Sequence, residues 1–286
     1  MTENDLARMR AALALRFGDA DVPSAQDRDL AAGAGTLAAI ASRRSHRSFE
    51  DRPVPLALIE TLAAIALSAP SKSDLQQRDI VVIDDAELKA RLLALVSDQA
   101  WTAAIPRLLI FCGNNHRQRR IHDLRGHPFA NDHVDAVFNA AVDAGIALQA
   151  FITAAEATGL GCCPISTIRN HAQEVSDLLA LPDHVFPVAG LAVGWPAGAG
   201  DISQRLPLAA TVHLDRFDNA GTGDAIAAYD KRRADAQPYA SQRGTERFGQ
   251  AEARDYTWSE DKARQYAEPE RADFGAFLVK KGFRLT

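Results

Sequence analysis

A short basic segment near the N-terminus has the residue types that bind an oxyanion. Residues 42–49, Ser-Arg-Arg-Ser-His-Arg-Ser-Phe, place three arginines and three serines directly after an apolar run that ends at Ala41. Guanidinium and hydroxyl groups form charge-assisted hydrogen bonds to phosphate, and cations beside an apolar wall favour negative charge on a bound ring. Charge runs are more often solvated surface. The segment therefore indicates an anion site only in combination with other features of the chain.

Several familiar sites are absent from the sequence. It contains no Gly-x-Gly-x-x-Gly between a strand and a helix, no glycine-rich loop ending in Lys-Ser/Thr and no Gly-x-Ser-x-Gly. Cys162 and Cys163 follow a predicted helix end, where the dipole disfavours a thiolate, so we interpret them as small apolar fillers. Arg205 adds a second arginine site after a predicted strand. An anion cluster without a proton-transfer constellation predicts a bound cofactor that performs its own redox chemistry.

Composition limits the class of protein. With 286 residues and 47% hydrophobic content, the chain can bury a large core, and one domain with excursions is expected. A net charge of −5 argues against nucleic acid as the main partner. Three cysteines, two of them adjacent, suggest no disulfide framework, so a cytoplasmic location is expected. A polar N-terminus and the lack of an apolar run of about 18 residues predict neither a signal sequence nor a membrane anchor.

Hydrophobic periodicity predicts the elements that must position these residues. Helices are expected at residues 4–17, 30–42, 55–68, 86–96, 135–158 and 168–181, and strands at 79–84, 107–112 and 185–193. The helix at 135–158 is apolar on nearly all faces, which predicts a central helix that a second subunit could share. Residues 114–133 carry four histidines and four arginines and are predicted to form a long surface loop or a partly ordered lid, without a metal because the histidine spacing matches no zinc pattern. From about residue 215 the apolar periodicity is too weak for a separate core until Phe274.

The order of the motifs resembles the FMN-dependent nitroreductase superfamily. The matching segments are residues 43–49, Ser68-Ala69-Pro70-Ser71 with Gln76, Gly159-Leu160-Gly161 with Ile165, and Gly194-Trp195-Pro196 through Arg205-Leu206-Pro207. The tail segments resemble the NADPH-preferring branch, the oxygen-insensitive nitroreductases and NADPH–flavin oxidoreductases: Gln242-Arg243-Gly244, Thr257-Trp258-Ser259 and Lys280-Lys281-Gly282-Phe283. The resemblance begins at about Leu37. It suggests an N-terminal extension at 1–30 and a single domain at 31–286 whose segment from about 215 to 286 wraps over the molecule or a partner.

This resemblance implies an α+β fold and a set of roles. The fold would be a mixed central β-sheet flanked by helices in an intertwined homodimer, with a C-terminal extension around the partner and FMN at the interface. Arg43 and Ser45, beside Arg44 and joined by Arg205, would hold the FMN phosphate. Arg47 would lie near the flavin N1 and O2, where negative charge grows on reduction. The backbone from Pro164 through Ile165 and Ser166 to Thr167 would line the flavin ring. The polar side chains implied around the ring and ribityl chain are Ser71, Ser73, Gln76 and Gln99.

The implied reaction passes hydride from NADPH through FMN to a nitroaromatic, a quinone or a similar small acceptor, by a two-step exchange at one site. Arg243 is the candidate for the NADPH 2′-phosphate, with Arg247 or Arg254 as helpers. Two alternatives stay open: a flavin reductase or dedicated metabolite reductase on the same scaffold, and a flavin-binding protein without turnover.

Three positions depart from the family pattern. Ser203 stands where the branch usually has a lysine, which removes one cation from the phosphate site, and Asp74 stands where asparagine is frequent. A carboxylate close to a flavin would oppose its reduction. Cys162-Cys163-Pro164 replaces a more glycine-rich sequence.

The role of Arg47 gives a first testable prediction. A cation beside the reduced, anionic flavin acts in a partly dry pocket, where electrostatic effects are enlarged. Arg47→Ala is therefore expected to slow flavin reduction more than it weakens FMN binding. Stopped-flow reduction by NADPH measures the first quantity and titration with FMN the second; equal reduction rates in the two proteins would contradict the role.

Overall fold

The computed structural model describes residues 2–18, 22, 25–96 and 100–286. The chain divides into two compact units: the first unit comprises Met1–Arg43 with Ile202–Glu270, and the second unit comprises Arg44–Asp201 with Arg271–Thr286. The helices are α1 (Thr2–Phe17), α2 (Asp27–Leu30), α3 (Ala34–Ser42), α4 (Leu56–Leu67), α5 (Ala86–Ala94), α6 (His116–Arg125), α7 (Val134–Ala157), α8 (Ala172–Leu178), α9 (Thr222–Ala236), α10 (Thr245–Phe248), α11 (Trp258–Tyr266) and α12 (Phe274–Lys280). The strands are β1 (Arg78–Ile83), β2 (Arg107–Asn114), β3 (Gly161–Ile165) and β4 (Val185–Gly194).

The second unit is built on a sheet with the strand order β1-β2-β4-β3. Helices cover both faces, and for this reason β2 and β4 are apolar without alternation. One face packs against α4 and α7 through residues such as Ile59 and Phe151, and the other packs against α5 and α8 through Leu92 and Val175. The predicted α+β arrangement is confirmed. The resemblance implied a mixed sheet, but the described strands all pair antiparallel. Parallel pairing is limited to one isolated bridge, between Ser45 and Cys162.

Helix α7 is the predicted central helix, and the structure confirms it. Alanines recur along its buried face, which lets the helix approach the sheet closely; they are Ala136, Ala140, Ala144 and Ala147. Phe151 completes the contact by packing edge-on against Phe111 of β2, with ring centroids 5.9 Å apart. Although α7 is long and apolar enough to cross a membrane by length and composition, these contacts are those of a core helix.

The first unit contains two helix pairs. In one, α1 packs on α3 through Leu6 and Met9, against alanines such as Ala38. In the other, α9 packs on α11, where Tyr229 and Trp258 meet edge to face with centroids 5.1 Å apart. Small residues on α3 allow close approach, whereas aromatic residues fill the second pair.

Two predictions about the polar regions are wrong. Residues 114–133 are not a loop throughout, because α6 spans ten of them and ends at Gly126, a left-handed C-cap with φ of 67°. Arg117 and Gln118 of α6 donate to the backbone carbonyls of Gln76 and Leu75. The helix is thus held by polar contacts with another loop, which apolar periodicity does not reveal.

The tail likewise contains helices that the sequence analysis did not predict. The buried positions of α9 and α11 include charged residues, among them Asp230, Asp261 and Arg264, so the apolar pattern is interrupted. Strand β3 was also missed, since its glycine and proline have low strand propensity. The helix predicted at residues 168–181 is shorter than expected. A 3₁₀ turn (Ser166–His171) comes first, and α8 follows it. The other predicted helices and strands are present within a few residues of their expected ends.

Candidate functional site

A cavity of about 570 Å³ in the first unit collects three arginines. Arg16, Arg43 and Arg205 line it together with Tyr229 and Trp258. Guanidinium groups present planar sets of donors that match phosphate oxygens. The structure therefore brings together Arg43 and Arg205, which the sequence predicts to bind one phosphate, and adds Arg16. We name this space the arginine cavity.

Local structure explains how Arg43 and Arg205 reach the arginine cavity. Arg43 is the C-cap of α3, where the backbone leaves the helix with φ of −59° and ψ of 149°. Arg205 lies in an extended segment whose backbone N–H donates to the carbonyl of Arg16, with N and O 2.7 Å apart. The guanidinium of Arg205 also donates to the carbonyls of Ser203 and Gln204, which limits its range of positions.

Arg16 is a buried residue that the sequence analysis missed. It is 6% exposed, and its Nε donates to the carbonyl of Ala41 at 2.7 Å. Its Nη1 donates to Ser203 at 3.0 Å and its Nη2 to Arg43. The sequence does contain a pattern that could have identified Arg16, because this residue follows Leu6 and Met9 at helical spacing on the buried face of α1. A charge at the end of an apolar stripe indicates a specific contact, because burial without partners is costly.

In the second unit, the basic segment runs beside strand β3. Ser45 forms the parallel bridge with Cys162, and the His46 N–H donates to the Cys162 carbonyl at 3.0 Å. The His46 ring lies so close to Gly161 that a Cβ there would approach it to 2.8 Å, so this contact requires glycine. Arg44 donates to the carbonyls of Ala199 and Gly200 at 3.1 Å each.

Arg47, the predicted catalytic residue, is exposed on this segment. Within the described part of the chain, no hydrogen bond or ion pair engages its side chain. The guanidinium is thus available to a ligand, unlike that of Arg44. This difference between neighbouring arginines follows from the attachment of the segment to β3 and is not visible in the sequence.

The residues predicted to line the flavin ring continue from β3. Pro164 and Ser166 are exposed and Ile165 is buried. Strand β3 is the last strand of the sheet, and the basic segment meets it through the bridge between Ser45 and Cys162. The hydroxyl oxygen of Thr167 is buried and has no hydrogen-bond partner in the described structure. An unsatisfied buried hydroxyl in the turn that follows β3 suits a polar ligand group at this position.

The loop with the predicted polar contacts has an unusual backbone. Ser73, Asp74 and Gln76 all have positive φ, at 48°, 55° and 53°. Left-handed conformations of non-glycine residues cost about 1–2 kcal/mol each, and such strain persists where the surroundings fix it. Ser71 contributes by accepting the Gln76 N–H on its hydroxyl at 3.1 Å. Gln99, the remaining predicted contact, lies outside the described residues.

Asp143 of α7 fixes both ends of this loop. It is fully buried, and its two carboxylate oxygens accept the backbone N–H groups of Lys72 and Gln77, each at 2.9 Å. Arg78 lies 3.7 Å from the same carboxylate and donates to the carbonyls of Leu67 and Ala69. In the sequence, Asp135, Asn139 and Asp143 follow one another at intervals of four and so share one face of the helix, but nothing there identifies the partners of Asp143.

Arg243 is in the tail of the first unit, 57% exposed, with its Nε 3.2 Å from Asp261. Burial raises the pKa of Asp261, but hydrogen bonds from Lys262 and Tyr256 outweigh this and lower it overall. Arg243 therefore faces a carboxylate that stays ionised, and a phosphate would have to share its guanidinium. The proposed helpers are paired as well, Arg247 with Glu268 and Arg254 with Glu252. None of the three lines the arginine cavity.

The cysteines are buried, in agreement with their interpretation as apolar fillers. Burial, with a smaller contribution from Asp79, raises the pKa of the Cys112 thiol to about 12. No group of three or more histidine, cysteine, aspartate or glutamate side chains in the described structure could hold a metal ion.

Comparisons with known proteins agree with this arrangement. The sequence profile of the Nitroreductase family matches residues 40–195, and that of the Nitroreductase family, C-terminal domain, matches residues 203–286. A protein of Bacillus subtilis (strain 168) named FMN reductase NAD(P)H is 32% identical over 254 residues, covering 87% of this chain and 98% of its own. The oxygen-insensitive NADPH nitroreductase of Salmonella typhimurium is 33% identical over 248 residues, with the same shares covered.

A solved structure supports the same conclusion. NfrA2 of B. megaterium superposes with a TM-score of 0.79 at 33% identity, over 88% of this chain and 98% of that one. The predicted nitroreductase-like fold is confirmed. Both profiles leave the residues before 40 unmatched, and α1 with Arg16 lies in that part of the chain.

The contacts of Asp143 generate a prediction about the strained loop. Asp143→Asn removes the charge beside buried Arg78 and turns an NH₂ group toward one of the two backbone N–H donors. It should lower the free energy of unfolding by about 3 kcal/mol. Hydrogen exchange should accelerate at the Lys72 and Gln77 amides. Asp135→Asn, on an exposed turn of the same helix, is the control and should change stability by less than about 0.5 kcal/mol. Unchanged protection of both amides would contradict this assignment.

Proposed function

The chain belongs to the nitroreductase family, and we propose that it is an FMN-dependent oxidoreductase that uses NADPH to reduce a small acceptor such as a nitroaromatic compound or a quinone. The observation that carries the proposal is the arginine cavity, where the two arginines predicted to hold the phosphate line one space. When bound, FMN would supply the redox chemistry by accepting hydride and passing two electrons on.

The residues present suit FMN in two respects. The arginine cavity is lined by three guanidinium groups, whose positive charge suits a phosphate dianion. The buried Thr167 hydroxyl lacks a partner in the described structure and would gain one from a polar edge of the ring. Arg43, Arg205 and Thr167 are among the residues that the resemblance implies as cofactor contacts, and Arg16 is not.

The arginines of the basic segment receive different roles in this proposal. Arg43 would bind the phosphate, and the same role for Ser45 stays a prediction from the sequence. Arg44 would position the segment, because its guanidinium is engaged by Ala199 and Gly200. Arg47 would stabilise negative charge on the reduced ring, because its exposed guanidinium has no protein partner within the described part of the chain. A cation fixed near developing charge lowers the barrier most where water is scarce.

A flavin reductase on the same scaffold is the second candidate. The Bacillus subtilis relative named FMN reductase favours it. The two activities share every step up to the acceptor, so the residues above would serve both. They differ in whether the acceptor that replaces the nicotinamide is a free flavin or another small molecule.

We also propose a homodimer, on the basis of apolar residues that the single chain leaves open. Val134, Phe138 and Val142 form an exposed stripe on α7, and Phe138 is 63% exposed. Residues four apart lie on one helix face, so the stripe is continuous. Contiguous exposed apolar surface is typical of subunit interfaces. The proposal includes residues 215–286 wrapping the partner, and a cytoplasmic location, which suits three buried free thiols.

Reduction under anaerobic conditions tests the function. The purified protein should bind FMN and turn yellow, lose the colour on addition of NADPH, and regain it when a nitroaromatic compound, a quinone or excess FMN is supplied. The acceptor with the highest turnover separates the two candidate activities. Colour that persists in NADPH would indicate a flavin-binding protein without turnover, and a protein without affinity for FMN would overturn the proposal.

The assignment of Arg243 to the 2′-phosphate predicts a change in coenzyme preference. Arg243→Ala should lower the ratio of kcat/KM for NADPH to that for NADH by about tenfold, the equivalent of one charge-assisted hydrogen bond. Arg216→Ala removes the same charge from an exposed position in the tail and should leave the ratio unchanged. An unaltered ratio in Arg243→Ala would remove the assignment.

The homodimer predicts a mass in solution of twice 30.9 kDa. Phe138→Asp should shift sedimentation toward the monomer, because a carboxylate would be buried in the interface. Leu124→Asp makes the same change at an exposed residue of α6 and serves as the control. A wild-type protein that sediments as a monomer at micromolar concentration would contradict the dimer.

A further inference from the structure

The first helix of the chain brings a charged residue to the arginine cavity. Along α1, Leu6, Met9 and Ala12 pack against α3, and Arg16 occupies the next buried position. The first three turns of α1 therefore make apolar contacts, and its last turn makes polar ones. A guanidinium at this depth needs hydrogen-bond acceptors, since burial of an unpartnered charge is unfavourable.

Arg16 finds these acceptors on the two segments that carry the phosphate arginines. Its Nε and Nη2 bond to the carbonyls of Ala41 and Arg43 at the end of α3, and its Nη1 bonds to Ser203, two residues before Arg205. One rigid planar group thus spans both segments. The same contacts place a cation at the Ser203 backbone, at the position where the sequence lacks the lysine of the resembling branch.

A second arginine reinforces this arrangement from α9. Arg232 donates to the carbonyls of Phe17 and Arg16, and also to that of Arg205. The Arg205 N–H in turn donates to the Arg16 carbonyl. The end of α1 is consequently bonded to the Arg205 segment through both backbone and side chains, so a displacement of α1 would move the Arg205 segment as well.

We infer that Arg16 is a positioning residue for the phosphate of the cofactor: it sets the spacing of Arg43 and Arg205 and adds positive charge to their cavity. The inference rests on the proposed FMN function. It makes α1, which precedes the region matched by the family profiles, a working part of the phosphate site. The effect of Arg16 should be confined to ligands with a phosphate, and riboflavin, which lacks one, provides the comparison.

The experiment measures FMN and riboflavin affinity by quenching of flavin fluorescence, without turnover. Arg16→Met, which keeps the length and loses the charge and the donors, should weaken FMN binding by roughly 10–100-fold, because several charge-assisted hydrogen bonds are lost around the site. Riboflavin binding should change less than about threefold. Arg16→Lys retains the charge without the planar fork and should fall between wild type and Arg16→Met. Arg8→Met removes an exposed charge from the same helix, and its FMN affinity should equal that of the wild type.

The possible outcomes separate the inference from the function on which it rests. Wild-type protein that fails to bind FMN would overturn the proposed function. Wild-type protein that binds FMN, with equal affinity in Arg16→Met or with equal losses for FMN and riboflavin, would overturn the role of Arg16 alone. If Arg16→Met does not fold, as judged by circular dichroism, the decision passes to Arg16→Lys, where an unchanged ratio of FMN to riboflavin affinity would overturn the inference.

Discussion

Each unit of this protein contains a buried charge whose hydrogen bonds to the backbone hold segments that carry predicted site residues. In the first unit the charge is the Arg16 guanidinium, bonded to Ala41, Arg43 and Ser203. In the second it is the Asp143 carboxylate, bonded to Lys72 and Gln77. A buried charge must be satisfied by fixed partners, because the alternative costs several kcal/mol. The backbone that supplies these partners is thereby restricted to one arrangement.

This constraint matters for a protein whose chemistry resides in a cofactor. In the proposed function, the chain contributes little proton transfer and acts by holding FMN and placing charge near it. The strained loop at Ser73, Asp74 and Gln76 illustrates the requirement. A loop with three left-handed residues would relax if its ends were free, and Asp143 with Arg78 ties both ends to the core. Preorganised polar groups need no rearrangement when the ligand binds, which preserves binding energy.

Arg44 and Arg47 belong to one basic segment but differ in their contacts and in their exposure to solvent. Both arginines stand in the same sequence motif, yet one is bonded to backbone carbonyls and the other is open to solvent. The attachment of Ser45 and His46 to Cys162 decides which side each arginine faces. Gly161 permits this attachment, since any side chain there would collide with the His46 ring. The distribution of roles along the segment thus depends on packing around β3.

The sequence by itself determined the α+β class, most of the helices and strands, the buried α7 and the family. These follow from local periodicity and from motif order, both of which depend only on the order of residues in the sequence. The resemblance also predicted one phosphate site for Arg43 and Arg205, and both residues line the arginine cavity. Tertiary structure alone decided the contacts of Arg16 and Asp143, the existence of α6 and the helices of the tail. For Arg16, Asp143 and α6 the determining interaction is a polar contact between residues far apart in sequence, and such contacts leave no periodic pattern because a single hydrogen-bonded residue is enough to make them. For the tail helices, charged residues at buried positions interrupt the apolar pattern.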